Sequence, residues 1–126
     1  MQMSYLLQLV LIGSAGAFGA VARYVLGHLV ASRVGSTFPF GTLIINVSGS
    51  FVIGVLFALT ARHLLSTTGQ LILATGFLGG YTTFSSMSWE GVQLARAGSL
   101  RASVLYLGEN VVLGLLAASA GIALGW

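Results

Sequence analysis

The stretch Thr75–Ser88, TGFLGGYTTFSSMS, interrupts an apolar segment that is otherwise long enough to form a membrane helix. Its three glycines each lower helix propensity by about 1 kcal/mol relative to alanine, and the hydroxyls of its threonines compete for backbone groups. The flanking sequences, QLILAT and SWEGVQLARAG, are typical of helices. The pattern predicts a helix that is broken near mid-membrane. A continuous helix with a glycine-rich packing face is the alternative.

The composition is that of a membrane protein. Of the 126 residues, 56% are hydrophobic and only 6% are charged, whereas soluble domains carry about 25% charged residues. The basic residues are all arginines and form no basic run, which argues against a nucleic-acid partner. The chain has no cysteine, so disulfides and thiolate metal sites are excluded.

Four apolar windows have the length of a bilayer-crossing helix, about 20 residues. They cover roughly residues 5–30, 40–62, 69–95 and 101–125, and the connections between them are short. The first window lacks the basic start of a signal peptide and continues past any cleavage point, so it is interpreted as a retained span. We expect an all-α membrane protein in which residues 1–126 form a single four-span transmembrane domain.

Small residues recur at four-residue spacing within these windows, for example Gly13 with Ala17 and Ser50 with Gly54. This spacing lets helix backbones approach each other closely in lipid. Because four short helices barely enclose a pathway, we expect at least a homodimer. Arg33, Arg96 and Arg101 lie on one side and Arg62 on the other, so the positive-inside rule favours cytoplasmic 1–2 and 3–4 loops by only about two charges. A bias this small leaves the orientation open and permits insertion in both orientations.

Polar side chains inside the predicted spans are candidates for a functional site, because polar groups are costly in hydrocarbon. In the second span, Thr42, Asn46 and Ser50 lie one turn apart on one helix face. In the fourth span, Tyr106 and Asn110 share a face in the same way. The amide of Asn46 has two donors and an acceptor, and all of them need partners. A pathway and an interhelical hydrogen bond explain this asparagine equally well.

Three charged residues, Arg23, Glu90 and Glu109, fall inside the predicted spans. A charge at the centre of a membrane helix costs about 2.5–3.5 kcal/mol on insertion scales unless it is neutralised, paired or hydrated. An ion pair between Arg23 and a glutamate is the structural alternative to a functional role. No histidine falls inside a span near the serine cluster, so we do not expect a serine hydrolase or any other intramembrane enzyme.

After the glycines, one turn of helix places Phe84 and Met87 beside the hydroxyls of Ser85 and Ser88. The edge of an aromatic ring is positive, so ring edges and hydroxyl donors together can replace water around a small anion and repel a bare cation. Carbonyls freed at a helix break can ligate a cation, and the N-terminus of the second half-helix favours anions.

Three motifs, GFLGGYTTFSSMSWE (76–90), FPFGTLIINVSGSFVIG (38–54) and GAFGAVARY (16–24), resemble those of the Fluc/CrcB family of bacterial fluoride channels. The resemblance covers essentially the whole chain. It implies an antiparallel, dual-topology homodimer of four-span subunits in the bacterial cytoplasmic (inner) membrane. It also implies a structural sodium ion at the centre of the dimer interface, held by the backbone carbonyls of Gly79 and Thr82.

The resemblance further assigns residues to a fluoride pathway. Asn46 and Phe84 correspond to residues that line the pore, and Tyr106 and Asn110 match positions of a polar track on the fourth span. Together with the polar pattern of the sequence, this predicts a pathway made of Asn46, Phe84, Met87, Ser85, Ser88, Thr42, Tyr106 and Asn110.

The charged residues are expected near this pathway. Arg23 resembles an arginine at a pore vestibule and Glu90 resembles the acidic residue after the break. With Glu109 they form the predicted vestibule or ion-pair group. Glu109 departs from the serine-based track of the family, and a charged carboxylate near the path would repel an anion. We therefore predict that Glu109 is protonated, paired or turned away from the constriction.

Met87 is the second departure from the family pattern. It stands where the resemblance implies a second phenylalanine, so one ring edge is replaced by a thioether that lacks the positive rim. We predict that Met87 lowers the throughput of fluoride and keeps the selectivity for it.

The leading interpretation is a passive fluoride-selective channel that exports fluoride from the cytoplasm. The alternative is a small dual-topology, proton-coupled multidrug exporter. Such an exporter needs a membrane-embedded glutamate, typically in the first span, where this chain has only Arg23. A structural or assembly subunit would explain the small-residue spacing but not the concentrated glycines and hydroxyls of Thr75–Ser88.

Overall fold

Helices make up nearly all of residues 4–126, the part of the chain that the computed structural model describes. In chain order they are α1 (Tyr5–Val34), α2 (Phe40–Ala61), α3 (Thr67–Gln70), a π-helix (Leu71–Leu78), α4 (Gly79–Tyr81), α5 (Phe84–Arg96) and α6 (Leu100–Gly125). These residues contain no β-strand. The predicted all-α class is therefore confirmed for the described part of the chain.

Three of the helices, α1, α2 and α6, are long and apolar enough to cross a membrane. They coincide with the predicted windows at 5–30, 40–62 and 101–125, although α1 extends further, to Val34. The third predicted window, 69–95, is divided among α3, the π-helix, α4 and α5. Each of these pieces is too short to count as a spanning helix by itself.

Two of the long helices, α1 and α6, begin at serine caps. Ser4 Oγ accepts a hydrogen bond from Leu7 N at 3.2 Å at the start of α1, and Ser99 Oγ accepts one from Ala102 N at 3.3 Å at the start of α6. Helix α1 ends at Gly35, whose φ of 63° is in the left-handed region that favours glycine.

The backbone leaves the helical conformation at Thr82 and Thr83. Thr82 has φ −79° and ψ 157°, and Thr83 has φ −149° and ψ 116°, so both residues are extended. Gly79 is still helical, with φ −61° and ψ −36°. The helix is thus interrupted at the two threonines, Thr82 and Thr83.

The glycines of this segment bring it against α1. A Cβ atom at Gly80 would collide with the carbonyl of Gly16, and a Cβ atom at Gly19 would collide with the carbonyl of Phe77. The two sequence interpretations therefore describe different residues of the same stretch. The glycines form a packing face, and the threonines form the interruption.

The most extensive contact of the molecule joins α2 and α6. A Cβ atom at Gly54 would collide with the carbonyl of Ala118, and one at Gly121 would collide with the carbonyl of Phe51. This is the close backbone approach that small residues at four-residue spacing allow. It fixes α6 against α2 and thereby holds Asn110 beside Asn46.

Candidate functional site

Asn46 of α2 occupies the gap that the interrupted helix leaves. Its Oδ1 accepts a hydrogen bond from Thr83 N at 2.9 Å, and its Nδ2 donates to the Thr83 carbonyl at 3.1 Å. A single side chain thus satisfies both backbone groups of a residue outside the helix. In a membrane interior, each of these groups would otherwise cost several kcal/mol.

The amide of Asn46 is fully engaged inside the protein. Its Nδ2 also donates to Asn110 Oδ1 at 3.1 Å, and Asn110 Nδ2 donates to the Tyr106 carbonyl at 2.9 Å. Because Thr83 N can only donate, the orientation of the Asn46 amide is fixed. The interhelical hydrogen bond considered for Asn46 is therefore formed. One amide hydrogen donates to Asn110 of α6 and the other to the Thr83 carbonyl.

The interruption also withdraws two donors from the helix. In an α-helix, the carbonyl of Gly79 accepts from the amide of Thr83, and the carbonyl of Thr82 accepts from that of Ser86. Here Thr83 N donates to Asn46 at 2.9 Å, and Ser86 N donates to Thr83 Oγ1 at 3.0 Å. The carbonyls of Gly79 and Thr82 thus lose the donors that a continuous helix would provide.

Thr83 is the N-cap of α5 as well as the residue that Asn46 holds. Its Oγ1 accepts from Ser86 N and lies 3.3 Å from Ser85 Oγ. The Thr83 side chain is nearly buried, at 9% exposure. The start of α5 is therefore built from hydroxyls at a helix N-terminus, where the helix dipole favours negative charge.

An outer cavity of about 470 Å³ lies between α1, the α1–α2 loop and α5. Its lining follows α1 from Arg23 to Val34, which is about 16 Å of helix. Thr83 and Ser86 lie at the opposite end from the loop, and Glu90 forms part of the wall. The cavity thus connects the loop level of the molecule with the interrupted helix.

An inner cavity of about 230 Å³ begins on the other side of Thr83. Its walls include Asn46, Ser50, Phe84 and Met87. The fold therefore brings together three of the predicted pathway residues around one small space. Thr83 lines both cavities, so the two share part of one wall.

Glu90 belongs to a hydrogen-bonded cluster that joins three helices. Its Oε1 accepts from Thr42 Oγ1 at 2.6 Å and from the Tyr106 hydroxyl at 3.2 Å. Tyr106 is fully buried, and the ring of Phe38 meets it edge-on with centroids 5.4 Å apart. Thr42 and Glu90 line the outer cavity, while Tyr106 supports them from the interior.

Arg23 donates from Nε to the Gly80 carbonyl at 3.2 Å. Glu90 is satisfied by hydroxyl groups instead of the arginine, so the Arg23–glutamate ion pair considered from the sequence is not formed among residues 4–126. Arg23 also lines the outer cavity.

The remaining predicted residues differ in location. Phe84 is 77% exposed in the single chain, and Ser85 is exposed beside it. Ser88 and Glu109 are half-buried and lie outside the walls of the outer and inner cavities. For Glu109 this location agrees with a carboxylate that is turned away from the constriction.

Sequence reasoning did not assign Thr83, Ser86 or His28 to the site. Thr83 had a usable signal, because a threonine directly before a resumed helical stretch is a preferred N-cap. Ser86 is the residue whose amide this cap satisfies. His28 carried no comparable signal, since only the fold brings it to the wall of the outer cavity.

The fold and this site define a class of protein: a multi-pass helical membrane protein with two cavities that share a wall at an interrupted helix. The family model described as "CrcB-like protein, Camphor Resistance (CrcB)" matches residues 10–122. The chain therefore belongs to the CrcB family, which confirms the assignment made from its three motifs.

Several relatives bear the name fluoride-specific ion channel FluC. That of Acidobacterium capsulatum is 42% identical over 111 residues, 87% of this chain and 89% of its own. That of one Thermus thermophilus strain is 43% identical over 115 residues, 91% and 92% of the two chains. FluC 1 of Leifsonia xyli is 49% identical over 111 residues, which cover 88% of this chain and 81% of its own. The family is one of ion channels, which confirms that the protein is not an enzyme.

Proposed function

We propose that the protein is a passive, fluoride-selective channel that exports fluoride across the bacterial inner membrane. The names of its relatives support fluoride as the ion. The observation that carries the proposal for this chain is the meeting of two cavities at Thr83. Hydroxyls, backbone groups and an aromatic ring gather there around an interrupted helix.

The path of the ion begins in the outer cavity, where Arg23 attracts an anion. At the deep end, the hydroxyls of Thr83 and Ser86 replace part of its hydration shell. The inner cavity continues the path beside the Phe84 ring and the Met87 thioether. Stepwise replacement of water by weak donors suits passage better than tight capture.

In this proposal Asn46 holds the wall of the path in position and does not bind the ion itself. Its two amide donors are occupied by the Thr83 carbonyl and by Asn110, so a passing ion would have to break an existing hydrogen bond to use them. Asn46 therefore sets the position of Thr83, whose side chain is a wall shared by both cavities. This refines the pore-lining role that the family resemblance implies.

The polar track takes the form of a hydrogen-bonded column. Asn110 and Tyr106 of α6 are buried and connect Asn46 at one end with Glu90 at the other. The hydroxyls of Tyr106 and Thr42 both donate to Glu90, but only Thr42 lines the outer cavity and can turn its hydroxyl to fluoride instead. The buried column thus holds Thr42 and Glu90 in place beside the path without placing a positive charge in it.

A second copy of the chain would complete the site. Phe84 and Trp89 of α5 are 77% and 61% exposed, which leaves the ring edge of Phe84 without a covering surface. An antiparallel homodimer with dual topology, as the family resemblance implies, would cover this face of α5. It would thereby exclude water and lipid from the ring.

The interrupted segment supplies the fourth crossing in this proposal. From Thr67 to Arg96 it contains 30 residues, which at helical rise extend over about 45 Å and exceed the hydrocarbon thickness of about 30 Å. The non-helical residues Thr82 and Thr83 are tolerated at depth because Asn46 satisfies the backbone of Thr83 and the segment lines cavities.

The residues present fit a structural sodium ion. The carbonyls of Gly79 and Thr82 have lost their helical donors, and oxygen atoms of this kind are what a hard monovalent cation binds. A bound sodium would supply a positive charge that these carbonyls from both subunits share, which stabilises the dimer interface. The ion would remain in place while fluoride passes.

Reconstitution into liposomes tests the proposal. Purified protein is incorporated into vesicles, and the efflux of fluoride and chloride is followed with ion-selective electrodes against protein-free vesicles. Rapid electrogenic fluoride efflux without chloride efflux is the expected result. Uptake of organic cations coupled to protons would instead select a multidrug exporter, and the absence of all transport would select a structural subunit.

A further inference from the structure

The outer cavity is lined by a histidine that the proposed path does not use, His28. It lies on α1, one turn beyond Tyr24, and the two rings stack with centroids 5.1 Å apart and an interplanar angle of 18°. His28 is exposed in the single chain and shares the cavity wall with Arg23 and Glu90. The stacking holds the imidazole at the wall of the cavity.

The charged and titratable groups that share this cavity with His28 are few. They are Arg23 and Tyr24 of α1 and Glu90 of α5, whereas the α1–α2 loop and α2 contribute only neutral side chains. Arg23 is bonded to a backbone carbonyl, and Glu90 is bonded to two hydroxyls. Histidine is the side chain that ordinarily changes charge between about pH 5 and 8.

We propose that His28 is a proton-controlled cation of the outer cavity, which sets the rate at which anions reach the interrupted helix. The proposal rests on the proposed channel function. Protonated His28 adds one positive charge to that of Arg23 and opposes the charge of Glu90. A cavity with low-dielectric walls focuses such a charge and raises the local concentration of anions.

The expected consequence is a fluoride flux that rises on acidification by about two- to threefold, as one partly screened charge at this range implies. The direction has a physiological meaning, because acid is the condition in which fluoride enters cells as hydrofluoric acid. His28 would then increase the escape of fluoride when the load is greatest.

The test measures fluoride current or efflux between about pH 5.5 and 8 in reconstituted wild type and variants. Protein-free membranes at each pH give the leak of hydrofluoric acid to subtract. In His28→Gln the flux is expected to stay at the low level at every pH, and in His28→Arg at the high level. His63→Gln is the matched control: His63 lies past the end of α2, outside the outer cavity, and this variant is expected to keep the wild-type profile.

A pH-independent wild type, or an unchanged pH dependence in His28→Gln, overturns the inference and assigns any remaining dependence to another group such as Glu90. His28→Arg decides the matter if His28→Gln does not fold. The absence of fluoride flux at every pH and in every variant contradicts the channel function itself, which is a different outcome from a channel without a pH response.

Discussion

Two helix contacts in this molecule use glycine for the same purpose and yet produce different structures. Between α2 and α6, Gly54 and Gly121 bring two unbroken helices together, and their backbones stay hydrogen-bonded within each helix. Between α1 and the third segment, Gly80 makes a similar close approach to Gly16. There, however, the helix opens within two residues.

The residues that follow the glycines cause the difference. In the third segment two consecutive threonines come next, and a side chain from α2 is in place to hold the opened backbone. In α6 the residues that follow Gly121 are isoleucine, alanine and leucine, which offer no polar alternative to the helix. Glycine thus permits close packing in both contacts. Opening of the helix also needs hydroxyl-bearing residues and a side chain that bonds the freed backbone groups.

Loss of the hydrogen bonds between Asn46 and the Thr83 backbone has the largest expected effect. Asn46→Leu leaves the amide and carbonyl of Thr83 without partners, at about 1–3 kcal/mol for each group. We expect lower thermal stability in detergent and a fluoride efflux reduced by at least about tenfold, the factor for 1.4 kcal/mol.

Ser50→Ala is the matched control for this variant. Ser50 lies one turn away on the same face of α2 and lines the inner cavity, but Asn46 alone bonds the Thr83 backbone. We expect this control to retain most of its stability. An equal loss of stability in both variants would show that the polarity of this α2 face matters, rather than the hydrogen bonds from Asn46 to Thr83.

The glycine contact between α2 and α6 is expected to respond differently when a larger side chain is introduced. Gly121→Val forces a side chain into the carbonyl of Phe51, so we expect a loss of about 1–3 kcal/mol of stability. The fluoride/chloride ratio of the remaining active protein is expected to stay unchanged. Gly108→Ala is the control, because nothing lies within 4 Å of its Cβ position. A changed ratio in Gly121→Val would mean that α2–α6 packing also sets selectivity.

Met87→Phe tests whether the thioether in the interrupted segment limits the fluoride flux. Met87 lines the inner cavity with Phe84, and a second ring would supply the positive edge that a thioether lacks. We expect fluoride flux to increase a few-fold while fluoride remains preferred over chloride. Unchanged flux together with an unchanged ratio would contradict the throughput role of Met87.

Glu109→Gln has the smallest expected effect. The residue lies on α6 outside the walls of the outer and inner cavities, so neutralising it is expected to leave fluoride flux and its pH dependence as in wild type. Liposome efflux at several pH values checks this. A marked increase in flux would show that the Glu109 charge repels the ion after all.

The sequence predicted the helical class, the location of three long helices and the stretch that is interrupted, because these depend on composition and local spacing. The exact residues of the interruption were not predictable, because Gly79 and Gly80 favour opening as strongly as the threonines do. The helix stays closed at Gly80, which packs against Gly16 of α1. It opens at Thr83 since Asn46, 37 residues away, replaces its helical partners.

The polar contacts within the site were predictable only as alternatives. The spacing of Thr42 and Asn46 gave a polar face, but the sequence could not pair Thr42 with Glu90 or direct Arg23 to a backbone carbonyl. Those pairings depend on how α1, α2 and α5 are arranged around the outer cavity. The same arrangement brings His28 into the cavity.

The reversal potential of the current through reconstituted wild-type channels tests the central claim most directly. Planar bilayers are formed with fluoride on one side and chloride on the other, and the voltage of zero current is recorded. The account predicts a current carried by fluoride alone, with a reversal potential far toward the fluoride equilibrium potential. A reversal potential near zero, or at the chloride equilibrium potential, would contradict a fluoride-selective path through the interrupted helix.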